Sequence, residues 1–125
     1  MEVEPWAAAP CGLWCCGPGF DVRAAHPELA LALWASQHLD APTRAAATMC
    51  TSGERCPMCA AAHVWTGIGR FAYVLSSPMI ADFVEPGISI DLRATDIVAA
   101  SNVDIAVEGP CHELAAEAAA LFPRR

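Results

Sequence analysis

Cys56-Pro57-Met58-Cys59 is a pair of thiols separated by two residues, with a proline that suits the first position of a helix. Two sulfurs at that spacing fall near one face of a helical turn and can share one metal ion. Taken alone, the pair reads equally as part of a structural zinc site or as a redox couple. Thirty positions upstream of Cys56, His26-Pro27-Glu28 adds an imidazole and a carboxylate flanking one residue. His26, Cys56 and Cys59 make three zinc ligands and leave a fourth position for water, the arrangement of a catalytic rather than a structural zinc. Glu28, two residues from the His, is placed to carry a proton without being a ligand. A fourth protein ligand such as Cys50 or His63 would close the site.

The elements that must hold these groups follow from pattern. Residues 1 to 25 mix Pro5, Pro10, Gly12, Gly17, Pro18 and Gly19 with apolar residues, and are expected to be irregular with at most a short hairpin. Pro27 opens a helix over 27 to 39, with Leu29, Ala30, Leu33, Trp34 and Gln37 at helical spacing. Asp40-Ala41-Pro42 reads as a break, Ala45 to Ser52 as a buried strand, and Cys56 to about Ile68 as a second helix. Arg70 to Leu75 reads as another buried strand, and Ser76-Ser77-Pro78 as the start of a helix over Met79 to Val84. Ile88 to Leu92 and Val103 to Val107 are β-rich, the type of Thr95 to Ala100 is open, and CHELAAEAAALF closes the described order as a helix. Both ligand groups therefore begin helices, whose N-termini favour thiolates. Alternating helices and strands predict an α/β fold with parallel pairing.

Length supports one domain over 1-125, with the zinc-binding core in 26-75. The chain is 55% apolar, yet no uninterrupted apolar run approaches the roughly 18 residues of a membrane helix. No membrane association is expected. Trp6 to Phe20 follows two acidic residues and is broken by Pro and Gly, which makes it a poor signal peptide. Fourteen acidic against seven basic side chains give a net charge of -7, which repels a phosphate backbone and points to a small molecule instead of nucleic acid. Seven cysteines without an export signal suit a reduced, cytoplasmic chain. Cys11, Cys15, Cys16, Cys50 and Cys111 stay outside the motif. His38 is expected to face solvent at a helix end, and His112-Glu113 to mark a helix start. Trp6, Trp14 and Trp34 are expected to pack. Trp65 could stack on a flat ring, but core packing is the favoured reading.

His26-Pro27-Glu28, the gap that follows and TSGERCPMCAAAHVW resemble the zinc-dependent cytidine and deoxycytidylate deaminase superfamily, nearest to its bacterial guanine deaminase and tRNA adenosine deaminase branch. The resemblance covers residues 26 to about 75. It implies a three-layer α/β/α sandwich with a central mixed sheet, its N-terminal helix and hairpin shortened or missing. It also implies His26, Cys56 and Cys59 on Zn2+, a zinc-bound hydroxide as nucleophile, Glu28 as the proton shuttle, and a homodimer. The substrate would be a free nucleobase or nucleoside, guanine-like ahead of cytosine-like because CPMCAAAHVW resembles that branch. Three features depart from the pattern. Pro27 replaces the usual Ala and lacks its N–H. Arg55 replaces a Pro beside the thiols. No Asn precedes the motif, so the alternative is a non-catalytic zinc-binding subunit that pairs with an active partner.

Overall fold

The computed structural model describes residues 26–84 and 87–122. The expectations for residues 1 to 25, including Cys11, Cys15, Cys16, Trp6 and Trp14, lie outside the described residues.

The first helix, α1 (Pro27–His38), starts at a proline and ends where the Leu39 amide donates to the Ala35 carbonyl at 3.0 Å. A short helix, α2 (Ala41–Ala46), occupies the expected break. Asp40 accepts a hydrogen bond from the Thr43 amide at 2.8 Å, so Asp40-Ala41-Pro42 is a helix cap followed by its first residues. Strand β1 (Thr48–Gly53) therefore begins later than expected, and α3 (Pro57–Thr66) follows it after three residues. β2 is Arg70–Leu75, as read from the sequence, and α4 is Ser77–Ala81, capped by Ser76.

Downstream, Ile88 to Leu92 forms no strand, and Ile88 is 91% exposed. The apolar alternation there has no neighbouring strand to pair with among the described residues. Helix α5 (Ala94–Ala100) fills the open stretch, with the Arg93 amide donating to Asp96 at 2.7 Å. β3 is only Ala106–Glu108, and the closing helix is a 3-10 turn, His112–Leu114, leading into α6 (Ala115–Ala119).

The strands form a three-stranded sheet in the order β1-β2-β3. Both pairings are parallel, with Met49 opposite Phe71, Thr51 opposite Tyr73, and Arg70 opposite Ala106. The expected mixed sheet is not found among the described residues. A helix follows each of the first two strands, and a helical crossover returns the chain to run in the same direction. Side chains alternate in β2, which buries Phe71, Tyr73 and Leu75. Ala32 and Ala35 of α1, Ala60 of α3 and Ala94 of α5, each no more than 5% exposed, share one core cluster with Phe71 and Tyr73. Alanine at these positions lets α1 and α3 approach closely, and α3 also packs against α5. No helix among the described residues is long and apolar enough to cross a membrane.

The site depends on one consequence of this order. β1 feeds α3 through three residues, so the α3 N-terminus lies beyond the carboxyl end of the strand, where open parallel sheets characteristically bind ligands.

Candidate metal centre

His26 and Cys56 occupy the same structural position, each the residue immediately before a helix whose first residue is proline. Both backbones are extended there, and each carbonyl accepts the first helical bond, from Ala30 at 3.2 Å and from Ala60 at 2.9 Å. Proline costs nothing at that place because its missing N–H would have no helical partner. The two helix starts meet. The His26 Nδ1 atom lies 3.3 Å from Cys56 Sγ and 3.4 Å from Cys59 Sγ, and the three ligand atoms all fall within 4.8 Å of one another.

These separations can be compared with a tetrahedral zinc. Bonds of about 2.0–2.1 Å to nitrogen and about 2.3 Å to sulfur at a tetrahedral angle place N and S about 3.6 Å apart. The cluster is the right size for one ion, and its soft donor set suits zinc. His26, Cys56 and Cys59 could hold a metal ion, with Nδ1 as the imidazole donor. Among the described residues neither Cys50 nor His63 joins the group: Cys50 is exposed, and His63 is buried against the Phe71 ring, centroids 5.0 Å apart.

Glu28 extends toward the cluster without entering it. Its Oε2 lies 4.0 Å from Cys59 Sγ, and its side chain is half-buried. The thiols are electrostatically unlike. A hydrogen bond from Cys59, with others from His26 and the Cys59 amide, outweighs burial and holds the Cys56 thiol down at about 4. The shared bond with Cys56 raises Cys59, as do burial and the charges of Cys56 and Glu28. The two thiols share a hydrogen bond and therefore titrate as a pair, with Cys56 favoured as the thiolate and Cys59 as the thiol.

Trp65 is 88% exposed, so the favoured packing role is wrong. It lies on α3 beyond the turn that buries His63, on the side that no described element covers. Trp34 is partly buried and stacks on His38 at 5.0 Å, and His38 is exposed at the α1 end as expected. His112 begins a helical turn. Two charged residues beside the motif were not anticipated as buried. Glu54 accepts from Arg93 and from the amides of Ala94 and Ser77, and Arg55 is 1% exposed with its guanidinium 4.3 Å above the Phe71 ring. Glu54 and Arg93 are 39 residues apart, and only the adjacency of Glu54 to the C-P-M-C turn hinted at a role.

No protein-family model matches this chain, and no curated protein matches it significantly.

Proposed function

We propose that this protein is a zinc-dependent hydrolytic deaminase of the cytidine and deoxycytidylate deaminase superfamily, acting on a free nucleobase or nucleoside, with guanine-like bases ahead of cytosine-like ones. The observation that carries this reading is a carboxylate 4.0 Å from one sulfur of a His/Cys/Cys cluster and outside that cluster. A purely structural zinc needs four protein ligands and no neighbouring acid, whereas hydrolysis needs three ligands and a proton carrier.

His26 Nδ1, Cys56 Sγ and Cys59 Sγ would hold zinc, which would supply the Lewis acidity that makes water a nucleophile near neutral pH. The chain's own residues do the rest. Cys56 and Cys59 contribute two negative ligands, and His26 fixes the third corner through Nδ1. Glu28 Oε2 takes a proton from the attacking water and delivers it to a ring nitrogen of the base. Glu28 then takes the proton of the hydroxyl now on the attacked carbon and passes it to the exocyclic amine, so that the carbonyl forms as the C–N bond breaks and ammonia departs. Pro27, lying between ligand and shuttle, offers no N–H to the substrate, so base recognition falls to other groups. The same reading sets the three strands at the centre of a larger α/β/α sandwich with mixed pairing, in a cytoplasmic homodimer.

The test is ammonia release from a panel of free bases and nucleosides, measured together with zinc content. Wild type should carry one zinc per chain and release ammonia from at least one purine or pyrimidine. Glu28→Gln should keep its zinc and lose turnover by about 10²-fold or more. One zinc per chain with no turnover on any substrate contradicts the enzyme reading and favours the non-catalytic zinc subunit.

A further inference from the structure

The carboxylate of Glu54 is buried, charged and unused by the chemistry proposed above. Its side chain is wholly shielded from solvent. Arg93 Nε donates to its two oxygens at 3.1 and 3.0 Å, Arg93 Nη2 donates at 2.6 Å, and the amides of Ala94 and Ser77 donate at 3.2 and 3.3 Å. Such a set of donors can offset the cost of burying the charge. The Glu54 backbone N–H donates to the Leu75 carbonyl at 2.7 Å, extending the contact between β1 and β2. One residue thus joins the ends of both strands to the starts of α4 and α5. Cys56 is two residues further on.

The residue between them is also fixed. Arg55 lies over Phe71, and its Nη2 donates to the Met49 carbonyl at 3.4 Å. Both side chains of the link between β1 and the metal turn are therefore anchored to the body of the fold. Rotation about that link would carry Cys56 Sγ away from His26 Nδ1, which approaches from a different helix.

We infer that Glu54, gripped by Arg93, is the positioning residue of the metal centre: it sets the direction in which the chain leaves β1 and hence where the Cys56 thiolate meets His26. This rests on reading His26, Cys56 and Cys59 as metal ligands, and it gives Glu54 no contact with substrate. Groups that orient metal ligands without touching the metal typically change affinity 10- to 100-fold when removed.

Cobalt(II) added to the full chain tests it, because thiolate-to-cobalt absorption reports ligand geometry independently of turnover. Arg93→Met leaves all three ligands and Glu54 in place, and should weaken cobalt binding about tenfold or more and shift the visible bands. Arg93→Lys, which keeps the charge but not the paired contact, should recover part of both, and it decides the matter if Arg93→Met does not fold. Ile105→Val, a core change outside the turn, should leave affinity and bands unaltered. Folded Arg93 variants with wild-type affinity and bands overturn the inference while leaving the metal reading intact, and so does Ile105→Val shifting them equally. Wild type that binds no cobalt overturns the metal reading and this inference with it.

Discussion

At the scale of single residues, the centre is defined by a proton as much as by a metal. In the metal-free chain the shared hydrogen bond favours the thiolate at Cys56 and the thiol at Cys59, which also faces the Cys56 and Glu28 charges. Both must be thiolates to bind zinc. Zinc binding at pH 7 should therefore release about one proton per chain from Cys59, measurable by calorimetry in buffers of different ionisation enthalpy. Release should vanish in Cys59→Ser together with tight binding. Binding with no buffer dependence would show that the pair holds no proton at pH 7. Glu28 belongs to the same scale: its distance from the sulfur suits a carrier, and a Gln there keeps the shape while removing the base.

At the scale of elements, the parts nearest the site were the most legible. Pro27 and Pro57 announced α1 and α3 because a proline's fixed φ fits a helix start, and Arg70 to Leu75 announced β2 through its buried apolar run. Reading failed where one local signal has two meanings. Asp40-Ala41-Pro42 is both a turn tripeptide and a helix cap, and only tertiary contacts chose the cap. Arg44, whose Nε donates to the Thr66 carbonyl at 2.7 Å and whose Nη1 donates to the Leu39 carbonyl, ties α2 to the ends of α3 and α1. Ile88, Ile90 and Leu92 alternate like a strand, but alternation specifies a face and not a partner. Gly69 is the element-scale test. Its amide donates to the Arg44 carbonyl at 3.1 Å, and a Cβ there would sit 1.9 Å from the Ala45 carbonyl oxygen. Gly69→Ala should lower stability by about 1–3 kcal/mol, read from urea unfolding, with metal affinity changed little. An unchanged midpoint would mean that Gly69 does not lie against the Ala45 carbonyl of α2.

At the scale of the whole molecule, buried titratable groups make stability fall with acid. His63 is fully buried, and burial followed by the Arg55 charge lowers it from 6.5 to about 4. The unfolded chain takes up this proton below about pH 6.5 and the native chain only below about 4, so the metal-free protein should lose stability across that window, by at most about 3 kcal/mol. Glu54 acts in the same direction at lower pH. Burial alone would raise it, but Arg93 and the Ala94 and Ser77 amides hold it below the usual carboxylate range, and its contribution is lost as pH falls through that depressed value. Cys56, also held at about 4, adds to the same slope. Between pH 4 and 6.5 the fall of the urea midpoint with acid should therefore be shallower in His63→Gln but not abolished, and an unaltered slope would exclude His63 as a source. Fourteen acidic against seven basic side chains give the chain a net charge of -7, which repels polyanions. His26, Cys56 and Cys59 come from two helix starts and lie close enough together to hold one ion. X-ray absorption of the zinc-loaded chain measures that most directly. Two sulfurs near 2.3 Å and two lighter atoms near 2.0–2.1 Å are predicted, one of the light atoms exchangeable. A third sulfur, or a chain that takes up no zinc, would contradict it.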